Sequence, residues 1–221
     1  MPVNLKNSIN HLSEEQIVKK INSVSLRSAS QRWMQNIERY KPDNKIQPKH
    51  AAVLVPLFQV KGIWKLLFTR RAQNMVDHSG QVAFPGGQVD ESDLTFEDVA
   101  KREAYEEIGL RPEDTRILGR LNEIHTITHY IVTPIVGVIS WPYQFVLSRT
   151  EVSRIFSIPL TWLVNQKHYK ISSRSVSDDN IKINTIIYQP YKNETLWGVS
   201  ALIVQDLLTI LLTKIISPDQ N

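Results

Sequence analysis

Phe84-Pro85-Gly86-Gly87, followed by Arg102-Glu103-Ala104-Tyr105-Glu106-Glu107-Ile108-Gly109-Leu110, is the stretch on which the rest of the chain turns. Between the two runs, Gln88 to Lys101 reads as a loop through Asp90, Glu91, Ser92 and Asp93, then as a helix starting at about Thr95 to Asp98. On that helix Glu103, Glu106 and Glu107 stand at i, i+3 and i+4, so one turn carries three carboxylates. Like charges so close repel one another unless something positive neutralises them. A hard divalent cation such as Mg2+ does so, because it takes oxygen ligands and accepts carboxylates beside substrate phosphates. A solvated acidic face is the plainer reading of three glutamates. Against it stand the Gly-Gly run before the helix and Gly109 just past its last periodic residue, a C-cap signal. Ala100, Ala104 and Ile108 form a neighbouring row suited to burial on a sheet, and Arg102 is spaced to pair with Glu106.

Upstream, Ala51 to Val60 and Ile63 to Thr69 are apolar, β-branched and aromatic runs joined at Lys61-Gly62, the pattern of a strand hairpin. Their hydrophobicity is continuous rather than alternating, which predicts a sheet covered on both faces. Pro56 argues against a regular strand centre. Ile117 to Leu121 and Ile131 to Ser140 supply further strands. At the N-terminus, Leu12-Ser13-Glu14-Glu15-Gln16-Ile17 predicts a helix start, with Ser13 as N-cap and Gln16 closing a capping box. A second short helix is expected around Gln31 to Arg39, then a linker from Tyr40 to Lys49. Glu151 is expected to open a short helix, where a carboxylate favours the positive end. His168 to Asn193 is polar, with Asp178-Asp179-Asn180 as the turn of a hairpin. Val199 to Ile216 is a strongly apolar terminal helix. Gln205, Asp206 and Lys214 interrupt it, so it is expected to pack on the sheet rather than cross a membrane.

The 221 residues suit one domain, residues 49–221, preceded by a helical extension and linker, residues 1–48. Lys plus Arg number 26 against 22 Asp plus Glu, a net charge of +4 that suits a polyanionic substrate. No basic run interleaved with aromatics appears, so nucleic-acid binding is not expected. The chain has no cysteine, which excludes disulfides and thiolate chemistry. Residues 1–22 lack the apolar centre of a secretory signal, and a cytoplasmic protein is the expectation. A homodimer is compatible with all of this.

The run from Gly86 to Leu110 resembles the Nudix box, G-x5-E-x7-R-E-U-x-E-E-x-G-U with U aliphatic. Arg102, Glu103, Ala104, Glu106, Glu107, Gly109 and Leu110 match its second half. Asp93 stands where the pattern has its first glutamate, and the spacing to Arg102 is one residue longer. That lengthening resembles the coenzyme A pyrophosphatase branch, whose upstream signature is approximately L-L-T-x-R-S-x3-R-x3-G-x3-F-P-G-G. Leu67, Phe68, Thr69, Arg71, Gly80 and Phe84-Pro85-Gly86-Gly87 fall in register, with Ala72 for the serine and Val76 for the second arginine. The resemblance implies an α/β fold, the Nudix α/β/α sandwich with a mixed sheet. It implies Mg2+ or Mn2+ held by Glu103, Glu106 and Glu107, with Glu106, Glu107 and Arg102 as the catalytic group and Arg102 orienting the carboxylates. It implies that Arg71, His78, Gly80, Phe84, Gly86 and Gly87 line the substrate end of the cleft, Arg71 contacting phosphate. It also implies that Gly86 and Gly87 turn the backbone sharply and leave room for phosphate. The expected reaction is hydrolysis of the pyrophosphate of coenzyme A, a small nucleotide substrate. ADP-ribose, NADH or another nucleoside diphosphate derivative is the alternative substrate, and a non-catalytic binding module the alternative role. Some members recruit a downstream carboxylate as general base.

Overall fold

The computed structural model describes residues 8–23, 47–73, 80–176 and 181–213. In chain order the elements are α1 (Glu14–Ser23), β1 (Lys49–Val60), β2 (Ile63–Arg71), β3 (Val82–Ala83), β4 (Gly86–Gln88) and α2 (Phe96–Ile108). There follow β5 (Thr115–Arg120), β6 (Ile124–His125), β7 (Tyr130–Ile139), β8 (Val152–Pro159), α3 (Leu160–Leu163), β9 (Tyr169–Val176), β10 (Ile181–Tyr188) and α4 (Gly198–Leu212). The helix expected around Gln31 to Arg39 and the turn at Asp178-Asp179-Asn180 lie outside the described residues.

The main sheet runs β3-β2-β1-β7-β5, with β8 on β2, β4 on β1 and β6 on β7. Among the described residues only β1 and β7 pair in parallel, so the sheet is mixed. Lys61 and Gly62 both take positive φ, 51° and 75°, which is the geometry a two-residue hairpin loop requires. Pro56 does sit inside β1. It falls where β1 meets neither antiparallel partner, since β4 pairs with residues 51–53 and β2 with residues 57–60, so its missing N–H costs little.

Successive residues of β1 feed opposite layers, as a pleated strand dictates. Ala52, Leu54 and Phe58 join the row Ala100, Ala104 and Ile108 of α2 in one core. Val55 and Leu57 join Ile17 and Ile21 of α1 and the apolar face of α4 in the other. The result is the expected α/β/α sandwich. The capping box of α1 is formed, with Ser13 N–H donating to Gln16 Oε1 at 2.9 Å and Gln16 N–H to Ser13 Oγ at 3.2 Å. Gln205 and Asp206 of α4 turn inward rather than outward. Gln205 Nε2 donates to Tyr188 Oη and Asn122 Nδ2 to Asp206 Oδ2, so the buried polar groups are partly satisfied. Among the described residues no helix is long and apolar enough to cross a membrane.

Candidate active site

Helix α2 is fixed at both ends by local chemistry. Thr95 is its N-cap in a reciprocal box with Asp98, and Gly109 ends it with φ 67°, donating to the carbonyls of Ala104 and Tyr105. With the alanine row against the sheet, Glu107 is carried inward to 3% exposure, whereas Glu106 stays on the outer side.

Burial pushes the Glu107 carboxyl up to about 8; the guanidinium of Arg71 works against this, and the carboxylates of Glu103 and Glu151 reinforce it. Its Oε2 is buried without a hydrogen-bond partner, and so is Nε of Arg71. Arg71, at the end of β2, places Nη1 3.9 Å from Glu107 Oε1. Glu103 is raised as well, first by burial, against the pull of Arg102.

Arg102 ties the acids together. Its Nε and Nη2 donate to the two oxygens of Asp93 at 3.0 and 2.8 Å, and its Nη1 reaches Glu103 Oε1 at 2.8 Å and Glu106 Oε2 at 3.2 Å. Nη2 also donates to the carbonyl of Gln88. The pairing with Glu106 was expected. The bidentate grip on Asp93, which holds that carboxyl below its usual range, makes Asp93 the anchor of Arg102.

Three expectations are corrected by the geometry. Phe84 is no cleft residue: it is 3% exposed and stacks on Phe68 with ring centroids 4.7 Å apart, inside the core on the α4 side. Gly86 and Gly87 make no sharp turn and open no space; they form β4 and pair with Val53 and Ala52 of β1. A Cβ on Gly86 would stand 2.4 Å from the Ala52 carbonyl oxygen, and one on Gly87 2.3 to 2.6 Å from the Glu103 carboxylate atoms. Glycine is needed because strand and carboxylate already fill the space. Glu151 opens no helix; it lies in a turn entering β8, with its N–H bonded to the Ser148 carbonyl. From there its charge is felt by both Glu103 and Glu107. Gly80 takes φ 63° beside the Arg70 guanidinium. His78 and Val76 lie outside the described residues.

The donor set fits a hard divalent cation. Carboxylates converge from two elements, one of them buried with an unpartnered oxygen and strongly disfavoured as an anion. Among the described residues, no three acidic or histidine side chains stand at ion-holding distance as they are, and Arg102 is paired with both Glu103 and Glu106. Beside Glu106 a groove of about 700 Å³ runs along the helix, lined by Tyr105, Tyr143, Val146 and Leu147.

These features define a class of protein, an α/β/α sandwich with an acid-lined helix against a strand-end arginine. A family model described as NUDIX domain matches residues 48–177. An uncharacterized Nudix hydrolase, NudL of Enterobacter sp. (strain 638), is 36% identical over 159 residues, covering 72% of this chain and 81% of its own length. The protein of the same name from Yersinia pestis (strain Pestoides F) is 35% identical over 176 residues, covering 76% and 86%. Among solved structures, a Nudix hydrolase from M. smegmatis, RenU, is 24% identical over 51% of this chain and 71% of its own, with a TM-score of 0.44. The chain belongs to the Nudix family. It is an enzyme of that family, a pyrophosphohydrolase, and such enzymes use divalent metal ions, typically Mg2+ or Mn2+, on small nucleotide substrates.

Proposed function

We propose that the protein hydrolyses the pyrophosphate bond of coenzyme A or its derivatives, giving 3',5'-ADP and 4'-phosphopantetheine or its acyl form. The observation that carries the reaction is the facing pair of Arg71 and Glu107, each with a buried polar atom left without a partner. A diphosphate lying between them supplies acceptors for the Arg71 guanidinium, which is suited to gripping phosphate oxygens. What supports coenzyme A in particular is the run from Leu67 through Arg71 and Gly80 to Gly87.

In this reading Glu103, Glu106 and Glu107 hold the metal ion. Such an ion, when bound, neutralises the diphosphate and lowers the pKa of a coordinated water. The chain's own residues do the rest. Arg71 orients the diphosphate, and Arg102, fastened to Asp93, keeps Glu103 and Glu106 in place. Glu107, in a site of low polarity, releases its proton near neutral pH when a cation offsets its charge.

The experiment is product identification after incubation of the purified protein with coenzyme A and Mg2+ or Mn2+, with ADP-ribose and NADH alongside. Release of 3',5'-ADP at the highest kcat/KM of the panel is expected. Faster cleavage of ADP-ribose or NADH would transfer the assignment to that substrate.

A further inference from the structure

Behind the acid site, on the α4 side of the sheet, lies a second charged cluster. Glu194, 2% exposed, accepts a hydrogen bond on each carboxylate oxygen, Oε2 from Arg70 Nη1 at 3.0 Å and Oε1 from Arg154 Nη1 at 3.1 Å. Arg70 and Arg154 face each other across the β2–β8 pairing. Glu194 is brought to them by the tight turn in which Tyr191 and Glu194 bond each other's backbone. Two guanidiniums sharing one carboxylate leave the triad with one net positive charge. Glu194 is sealed in, whereas the arginine side chains keep 33% and 48% of their surface.

Arg70 precedes Arg71 in β2, so their Cα atoms are about 3.8 Å apart, and the two side chains leave the strand end toward opposite layers. The Arg154 guanidinium lies over the Phe156 ring at 5.8 Å, which holds its plane. Ser153 Oγ donates to the Arg70 carbonyl at 3.1 Å, locking the two strands at this end. Arg149 Nη1 donates to the Ser153 carbonyl of the same strand end. Planar, pre-oriented guanidiniums with surplus charge are built to receive a phosphate dianion.

We propose that Arg70 and Arg154, held side by side on the buried Glu194 carboxylate, bind a second phosphate of the substrate, a monoester separate from the diphosphate that Arg71 faces. This rests on the reading above, in which the monoester is the 3'-phosphate of coenzyme A. The rival account makes the triad a clamp that only fastens the Tyr191–Glu194 turn to the sheet.

The test compares pairs of ligands that differ by that one phosphate: coenzyme A against dephospho-coenzyme A in kcat/KM, and 3',5'-ADP against 5'-AMP in binding by calorimetry. The wild type is expected to favour the 3'-phosphorylated member of each pair by about tenfold or more, the worth of one charge-assisted hydrogen bond. Arg154→Gln is expected to bring both ratios close to one, and Arg154→Lys to leave them in between. A wild-type nucleotide ratio near one overturns the proposal, as does an Arg154→Gln protein that weakens both members of a pair equally. Failure to cleave either form of coenzyme A removes the substrate assignment alone, because the nucleotide binding ratio still decides the phosphate site.

Discussion

Arg71 and Glu107 face each other across the gap between β2 and α2 with Nη1 and Oε1 3.9 Å apart, too far for a hydrogen bond and close enough for each to feel the other's charge. A pair optimised for stability would close to about 2.8 Å. Here the adjacent atoms, Arg71 Nε and Glu107 Oε2, are buried and unpartnered. Both groups are positioned for something other than each other, and binding sites commonly carry such a cost in stability.

Glu107→Gln tests that directly. The amide removes a buried charge, so hydrolysis is expected to fall by at least about a hundredfold while the thermal midpoint of the metal-free protein at pH 8 stays level or rises. A variant with near-normal turnover would remove Glu107 from the site, and a collapsed midpoint would make it structural.

The same group fixes how the metal-free protein responds to pH. A carboxyl whose folded pKa is about 8, against 4.5 ordinarily, binds its proton more tightly folded than unfolded. Its contribution is therefore fully present below about pH 4.5 and is lost as pH rises toward 8, by an amount of a few kcal/mol. Glu103, also raised, acts in the same direction. Denaturant midpoints without divalent ions should fall between pH 5 and 8.5, and saturating Mg2+ or Mn2+ should flatten the slope because uptake releases the proton. A metal-free midpoint that rises over this range would contradict the burial of Glu107.

How much of this was legible in the sequence depended on range. The Ser13–Gln16 box, the Lys61-Gly62 hairpin loop, the Gly109 cap and the Ala100, Ala104, Ile108 row are all decided within a few residues, and each stands as its spacing implied. Phe84 was misjudged because its stacking on Phe68 of the neighbouring strand has no local signal, and the two glycines because a glycine pair has two physical uses, freedom to turn and permission to approach. Only the neighbours, Ala52 and the Glu103 carboxylate, show that the second applies. The Asp93–Arg102 contact is local, nine residues apart, and its spacing marked the position without showing which partner the carboxylate holds. Glu151 and the Arg70–Glu194–Arg154 triad depend on side chains that distant segments bring together, and no spacing pattern records that meeting.

The two glycines should respond differently to the same methyl group. Gly86→Ala drives a Cβ against the Ala52 carbonyl oxygen and Val53, which are strand backbone and side chain in a closed layer, so loss of several kcal/mol or failure to fold is expected. Gly87→Ala has its nearest clash with the Glu103 carboxylate, the far end of a side chain that can swing away. It should fold with a smaller loss and show metal affinity weakened by about tenfold or more. Isothermal titration with Mn2+ beside thermal melts separates the two, and equal stability losses would contradict the geometry.

Asp93 holds Arg102 by two hydrogen bonds and acts on the acids only through it. Asp93→Asn keeps the shape and removes the charge, freeing Arg102 to bind Glu103 and Glu106 more closely and to compete with a cation for them. Metal affinity should fall by about 3- to 30-fold with kcat at saturating metal largely restored, the signature of a positioning residue. A loss that saturating Mn2+ does not repair would make Asp93 a direct ligand.

Glu151 stands 44 residues beyond Glu107 in the chain, yet its charge is among those that raise the Glu107 carboxyl. Removing that charge by Glu151→Gln leaves burial and Glu103 in place, so the Glu107 carboxyl should titrate lower than in the wild type while remaining above the ordinary carboxylate range. The acid limb of kcat/KM against pH should then move toward lower pH, whatever happens to the maximal rate. A structural role confined to the turn before β8 would lower the thermal midpoint and leave that limb where it was. A shift of the limb to higher pH would contradict the sign of the effect, since removing a nearby negative charge lowers a carboxyl's pKa.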